Sequence, residues 1–286
     1  MQKELNFFKL FDTFIAESKS GKRSKSNGSR IKPGTVQHYI LVKNELLKFS
    51  EASSFSIHLK SIVRVSGRTV KSEHAYWNRF YRKYADYLYG KGCFDNYVGA
   101  HFKVIRTFFI YLNRKKSIYT GEIHKEFYVR NESIPIVILE QHQLAFMRED
   151  IEFENILPIY LQKTKDILIF GCYTGLRFSD LMQLKQKDLL QTPDATYLKV
   201  KSIKTSTETK IKLSDFTIQI ITKYKRYKYL LPQLSNNRLN LNLKNYVNAQ
   251  VGCMRLAKNA NAEVLLKRLL VMEKNIGSVT LSPPTQ

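Results

Sequence analysis

Three stretches between residues 33 and 116 repeat aromatic and aliphatic side chains at intervals of three and four residues. This spacing places the apolar side chains on one face of an α-helix, so each stretch predicts an amphipathic helix. We expect Thr35 to cap the first helix, and Gly90 and Gly92 to end the second. Residues 33–116 therefore predict a compact helical unit. Its buried faces would be formed by Tyr39, Val42, Leu46, Leu47 and Phe49, by Tyr76, Phe80, Tyr84, Tyr87 and Leu88, and by Val98, Phe102, Ile105, Phe109 and Leu112.

The charge of the chain points to a polyanionic partner. It has 47 Lys and Arg residues against 24 Asp and Glu, a formal net charge of +23. Cations that neutralise phosphates release counterions, which favours nucleic acid over a membrane or ribosomal surface. The basic residues outside the apolar stripes are candidates for contacts with the DNA backbone, whereas the aromatic stripes are core. The candidates are Lys32, Lys71, Arg79, Arg82, Lys83, Lys103, Arg106, Arg114 and Lys115.

The segments that flank this unit are more polar. We interpret residues 1–32 as an N-terminal helix followed by a basic arm, because Ser18–Arg30 is rich in small and basic residues. That arm is either an exposed loop or a phosphate-contacting segment. Residues 117–133 lack a periodic pattern and are predicted to be a linker between domains.

The second half of the chain also favours helices. An extended segment at 134–139 precedes predicted helices at 140–148, 158–171, from Arg177 to Lys185, 216–229 and 239–247. Alternating residues at 197–201 and 210–213, with Thr205–Thr207 between them, predict a β-hairpin. The fold class is therefore mainly α with one small hairpin.

The sequence excludes several other classes of protein. The three cysteines, Cys93, Cys172 and Cys253, are far apart and form no metal-binding motif, so we expect free thiols and neither disulfides nor a metal site. The N-terminus does not resemble a signal peptide, and the apolar windows are too short for a membrane span. These features predict a soluble, cytoplasmic protein.

One stretch carries candidate chemistry. In Gly171–Leu181, Arg177 follows a tight turn at Thr174 and Gly175 and begins an amphipathic segment. An arginine in that place can direct a fixed fork of donors at a phosphate. The structural alternative is an arginine that caps or bridges its own helix.

These residues resemble a known family. TGLRFSDLMQLKQKDL (Thr174–Leu189), the hairpin with Lys204 at its turn, and PIVILEQHQLAFM (Pro135–Met147) are similar to the catalytic domain of tyrosine recombinases, the phage-integrase family. Integrases of Bacteroidetes mobile elements are the most similar subgroup. The resemblance implies a SAM-like core-binding domain at 33–116, a partial catalytic domain at 134–247, and integration or recombination of DNA.

The family's chemistry assigns expected roles. A tyrosine attacks a phosphodiester and forms a 3′-phosphotyrosine without cofactor or metal, while preorganised cations stabilise the transition state. By resemblance, Arg177 would contact a nonbridging oxygen, and Lys204 would act as general acid, although Lys201 and Lys210 are close enough to compete for that assignment. Asp180 would hold Arg177 or cap locally. The implied partners are double-stranded DNA and further recombinase protomers, with no membrane and no small-molecule substrate.

The chain departs from the family after residue 247. The family pattern has a His-x-x-Arg pair and a tyrosine near the C-terminus. Here no histidine follows His142, and the last tyrosine, Tyr246, lies on a predicted apolar helix face. We therefore expect DNA binding without catalysis. Two alternatives remain: a non-catalytic DNA-binding protein that competes with an intact integrase, and an RNA-associated basic protein.

The tail, residues 248–286, suggests why. Codons that can encode Met272–Gln286 also read, in a shifted frame, Gly-Lys-Lys-Tyr-Arg-Phe-Cys-Asp-Ile-Val-Thr-Ser-His-Thr-Met-Arg, which contains the missing His-x-x-Arg pattern. We expect either a frameshifted gene or a truncated form. The nucleotide sequence decides between them, because a frameshift requires a shifted frame that continues into a segment with a tyrosine.

Overall fold

The computed structural model describes residues 5–257 except 134–138, 140 and 150. The chain divides into two compact units, residues 1–133 and residues 134–286. Each unit has its own hydrophobic core. The predicted extended segment at 134–139 lies outside the described residues except for Leu139, which is buried.

The first unit is helical, as the periodicity predicts. Its core is dominated by aromatic rings in tilted and edge-to-face contacts, such as Phe11 with Phe108 at 4.7 Å and Trp77 with Phe109 at 4.8 Å between ring centroids. Such pairs stabilise a core beyond the area they bury. The helices are α1 (Phe7–Ser20), α2 (Pro33–Ser53), α3 (Gly67–Gly90), α4 (Asp95–Lys115) and α5 (Ile123–Glu126).

The start of α2 differs from the prediction. The helix begins at Pro33, Lys32 is the N-cap residue, and Thr35 lies in the first turn. Proline suits the first helical position because its φ angle is already helical and that position needs no N–H donor. The predicted cap at Thr35 is therefore wrong by three residues.

The N-terminal helix, α1, is part of the first core. Phe7, Phe11 and Phe14 are almost fully buried in the same core cluster as residues of α2 and α4. The basic loop that follows folds back on α1. There Arg23 donates a hydrogen bond to Ser18 Oγ at 3.1 Å and lies 4.5 Å from the centre of the Phe14 ring.

Residues 117–133, predicted to be a linker, belong to the first unit and pack on it. Ile123 and Phe127 lie in its core. Where the chain returns past α4, the carbonyl oxygen of Arg130 approaches Gly99 so closely that an added Cβ would lie 2.1 Å from it. Only glycine allows this approach. The segment has no periodic apolar pattern because Ile123 and Phe127 are too few to form one.

In the second unit, other elements pack around one buried helix. α8 is covered on most of its circumference and packs against the neighbouring helices α6, α9, α10 and α11. A three-stranded antiparallel sheet, in the order β1-β2-β3, completes the unit. The elements are α6 (Gln141–Glu149), α7 (Ile151–Ile156), α8 (Ile159–Thr174), α9 (Phe178–Leu181), β1 (Leu189–Gln191), β2 (Thr196–Lys201), β3 (Glu208–Lys212), α10 (Asp215–Lys223) and α11 (Asn236–Ala257).

Two predicted helices in this unit are shorter than expected. α9 ends at Leu181 rather than Lys185, and α10 ends at Lys223 rather than Tyr229. The reason is a competing interaction: Lys185 forms an antiparallel bridge with Tyr229, and the Leu230 N–H donates to the Leu184 carbonyl at 2.9 Å. These backbone groups bond to each other instead of continuing a helix.

Candidate DNA phosphate site

A left-handed turn places Arg177 at the end of α8. Gly175 has φ of +65°, and its N–H donates to the Gly171 carbonyl at 2.9 Å, which closes the helix. Glycine adopts this conformation without the penalty that a Cβ would bring. The backbone of Arg177, the N-cap residue of α9, is extended. The Arg177 side chain is exposed.

The guanidinium of Arg177 touches the hairpin. Its Nη1 atom donates to Ser202 Oγ at 3.3 Å. Within the described part of the chain, no carboxylate pairs with it. Most N–H donors of the Arg177 guanidinium are therefore open to solvent, where they can bind a phosphate in bidentate geometry.

Asp180 has a different role from the expected one. Its side chain is 3% exposed, and Oδ1 accepts a hydrogen bond from the backbone N–H of Ile203 at 3.0 Å. The carboxylate thus holds the turn of the β-hairpin, rather than Arg177 or the N-terminus of α9. A bond from a backbone amide to a charged acceptor contributes about 1.5–3 kcal/mol.

The turn of the hairpin contains Lys204. The strand register closes at Lys201 opposite Glu208, so residues 202–207 form the connection between β2 and β3. Within it, Ser202 N–H donates to the Thr207 carbonyl at 2.9 Å and Ser206 N–H to the Ser202 carbonyl at 2.7 Å. Lys204 lies in this connection and is exposed.

The two competing lysines lie in the strands. Lys201 ends β2, and Lys210 belongs to β3, where its Nζ lies 4.0 Å from the centre of the Tyr197 ring. Their place in the ladder separates them from the turn that Asp180 holds. Lys204 lies in the same connection as Ser202, which bonds to Arg177, and Ile203, which bonds to Asp180. The preference for Lys204 over Lys201 and Lys210 stays a prediction.

Sequence reasoning missed Ser202. It lies two residues before Lys204 and receives the hydrogen bond of Arg177. A signal was present, since a small hydroxyl residue at a hairpin turn can bond to a neighbouring segment. Nothing in the spacing, however, indicates which residue 25 positions away would be its partner.

The basic residues of the first unit separate into two groups. Lys71, Arg79 and Arg82 fall on one face of α3, within an arc of about 80°. Like the other predicted contact residues Lys83, Lys103, Arg106, Arg114 and Lys115, they form no ion pair among the described residues. Lys32 is exposed at the start of α2.

Several cations outside the predicted set form ion pairs. Lys43 bonds to Asp12, Lys48 and Lys91 bond to Glu45, and Lys116 bonds to Glu17 at 2.6 Å. The hydrogen bond from Lys116 lowers the pKa of Glu17, so that carboxylate stays ionised beside its partner. None of these four ion pairs involves a residue of the predicted set.

The last tyrosine and the last histidine of the sequence are Tyr246 and His142. Tyr246 is fully buried in the second core, so its hydroxyl cannot reach DNA in this arrangement. In the sequence of residues 134–286, His142 is the single histidine, and its side chain lies outside the described residues. Among the described residues, no group of three His, Cys, Asp or Glu side chains could hold a metal ion.

Two of the three thiols are described by the structure. Cys93 and Cys172 are free, and burial raises the pKa of Cys172 to about 12. Such a thiol remains protonated at neutral pH and is a poor nucleophile. The side chain of Cys253 is outside the described residues.

Comparison with known proteins identifies the fold. No family model and no curated protein matches the chain. Among solved structures, a lambda integrase dimer bound to a COC′ core site matches with a TM-score of 0.54 and 12% identity, covering 99% of this chain and 67% of that one. The XerH site-specific recombinase bound to difH substrate matches with a TM-score of 0.51 and 13% identity, over 93% and 88% of the two chains.

The Tn1549 transposon integrase, in complex with transposon right end DNA, matches with a TM-score of 0.55 and 16% identity, over 96% of this chain and 95% of that one. The chain has the fold of these tyrosine recombinases. This confirms the predicted fold class: mainly α, with a helical N-terminal unit followed by an α-rich unit. The predicted hairpin is β2 and β3 of a three-stranded sheet, to which β1 adds a strand that was not predicted. In the described segments, no helix is long and apolar enough to cross a membrane.

The bond between Asp180 and Ile203 gives a testable consequence. We expect Asp180→Ala to destabilise the second unit by about 1–3 kcal/mol, because the Ile203 amide loses its buried acceptor. Hydrogen exchange at the Ile203 amide should become faster. Asp180→Asn retains an acceptor oxygen and should have a smaller effect; equal exchange in all three proteins would contradict the proposed contact.

Proposed function

We propose that this chain is a DNA-binding protein of the integrase type, derived from a site-specific recombinase of a mobile element. The observation that carries the proposal is the exposed Arg177, which lies beside the hairpin turn of Lys204 and has no carboxylate partner among the described residues. Arg177 bonds to Ser202, and Asp180 bonds to Ile203, both in the connection that carries Lys204. Cations placed in this way suit a phosphodiester, whose nonbridging oxygens need donors at fixed positions.

In the proposed role, Arg177 contacts a nonbridging phosphate oxygen. Lys204 stands near the leaving oxygen, the position of a general acid in the recombinase reaction. Ser202 would hold Arg177 when no DNA is bound and release it to the phosphate. No cofactor or metal is needed, since the reaction transfers a phosphodiester to a protein hydroxyl and back.

The first unit supplies the binding energy in this proposal. The unpaired cations of α3 and α4 contact the duplex backbone, positioning the protein without reading the sequence directly. The solved structures of similar fold are DNA complexes, and one of them contains an integrase dimer. We extend to this chain both duplex binding and assembly with further protomers on DNA.

We propose further that the 286 residues bind DNA without cleaving it. They contain no histidine after His142, and Tyr246 is buried. Removing groups that act as a unit costs orders of magnitude in rate, and removing the nucleophile abolishes covalent chemistry. The same observation favours the second candidate function, a non-catalytic protein that competes with an intact integrase for its DNA sites.

Salt dependence tests the role of α3. The slope of log K against log salt concentration is negative. Removing one cation that contacts a phosphate should reduce the magnitude of this slope by about 0.9 for duplex DNA. We expect Lys71→Ala and Arg82→Ala each to reduce the magnitude of the slope by about this amount in fluorescence anisotropy titrations.

The matched control is Lys43→Ala, because Lys43 already pairs with Asp12. It should leave the slope nearly unchanged. If Lys43→Ala lowers the slope as much as Arg82→Ala does, binding reflects net charge alone, and the assignment to α3 is wrong. Stronger binding to single-stranded RNA than to duplex DNA would instead favour the RNA-associated alternative.

Covalent trapping tests the absence of cleavage. Nicked suicide duplexes from the ends of the element that carries the gene should give no protein–DNA adduct on denaturing gels, although they bind in anisotropy. An intact integrase of the same element serves as positive control. Any adduct with this chain would overturn the proposed inactivity, and lost adduct formation by the intact enzyme in its presence would support competition.

A further inference from the structure

The second unit contains a pocket that the proposed function does not use. It lies between the first turns of α8, the segment after α10, and the start of α11, and it has a volume of about 540 Å³. Cavities of about 300–1,000 Å³ are typical of sites for small molecules and anchoring side chains. The pocket is therefore large enough to take up buried side chains of a partner.

The position of the pocket separates it from the phosphate site. Ile159 and Tyr160 line it at the beginning of α8, whereas Arg177 follows the other end of that helix. The fifteen residue steps from Ile159 to Thr174 correspond to about 22 Å at the rise of an α-helix. A ligand in the pocket would thus lie far from a phosphate bound at Arg177.

The floor of the pocket is held in place by buried hydrogen bonds. The Tyr224 hydroxyl donates to Asp166 at 2.5 Å, and Asn242 donates to Thr164 Oγ1 at 3.1 Å. Lys223 pairs with Asp166 at 2.9 Å and reinforces the same network. Groups fixed in this way lose little freedom when a ligand binds, so the pocket is preorganised.

The mouth of the pocket exposes apolar and aromatic surface. Ile159 is 62% exposed, Tyr160 42% and Tyr227 60%. Leu231 and Leu234 extend the apolar lining inward. Tyrosine-rich surface with aliphatic neighbours is typical of protein interfaces, whereas surfaces that bind the DNA backbone are more polar.

The rim carries only positive charge. Lys163, Lys228 and Arg238 line the pocket, and its lining residues include neither Asp nor Glu. A second copy of this chain, with a net charge of +23, is on average repelled by such a rim. Charge complementarity instead selects an anionic partner whose apolar side chains can enter the pocket.

We propose that this pocket binds a peptide segment of another protein, in which aliphatic or aromatic anchor residues are flanked by Asp or Glu. The anchors would fill the space above Tyr224, and the acidic flanks would contact Lys163, Lys228 and Arg238. The site recruits a protein partner to the DNA-bound chain and is independent of DNA cleavage.

A displayed peptide library tests the proposal. Its central positions are randomised between acidic flanks, and a second library has the same centre between lysine flanks. The full chain should enrich apolar centres from the acidic library alone. An enriched peptide, measured by anisotropy, should bind at least tenfold more weakly to Arg238→Glu and to Tyr227→Ala, both of which change exposed side chains.

Lys187→Glu is the matched control, because it reverses an exposed charge outside the pocket. It should not change peptide affinity. Absence of enrichment, or equal enrichment from the lysine library, overturns the proposal. The proposal is also overturned if no peptide binds and Arg238→Glu alone loses single-stranded DNA binding or self-association. That result would identify nucleic acid or a second copy of the chain as the occupant. The salt dependence of duplex binding reports on the proposed function separately.

Discussion

The candidate site depends on one buried carboxylate. Asp180 belongs to the short helix after Arg177, and it accepts the amide of Ile203 in the hairpin connection. Two segments more than twenty residues apart in sequence are thereby fixed to each other next to an exposed arginine and an exposed lysine. Burying a carboxylate costs free energy unless it is hydrogen-bonded, so the bond to Ile203 makes its position specific. The bond from Arg177 to Ser202, at 3.3 Å, joins the same two segments.

This arrangement explains which parts of the site were predictable. Arg177 was recognisable because the Gly175 turn, the arginine and the apolar residues that follow are local in sequence. Alternation predicted the hairpin and hence that Lys204 lies in its turn, whereas the role of Lys204 stays a prediction from the resemblance. The bond of Asp180 to Ile203 was not predictable, since a sequence pattern does not indicate which distant backbone amide a carboxylate will meet. Ser202 was missed for the same reason.

The fold shows the same limit. Periodic apolar residues predicted α2, α3 and α4, because each helix buries a continuous face. The assignment of 117–133 to the first unit rests on Ile123 and Phe127 and on the close approach at Gly99, which leave no periodic signal. Likewise, apolar spacing continued beyond Leu181, but the bridge between Lys185 and Tyr229 ends the helical region there. Non-local backbone pairing overrides local propensity in such places.

The distribution of acidic residues determines which exposed cations form ion pairs within the protein. With 24 carboxylates for 47 basic side chains, only some cations can be paired, and the structure pairs them selectively. Glu45 serves both Lys48 and Lys91, while no acidic side chain reaches Arg79 or Lys83 among the described residues. Arg79 and Lys83 are one helical turn apart, and like charges at that spacing destabilise a helix by about 0.2–0.5 kcal/mol. Both approach the Phe55 ring, at 5.9 and 5.8 Å from its centre, which offsets part of that cost. A bound polyanion, such as the DNA of the proposed function, would relieve the remaining repulsion by supplying the missing negative charge.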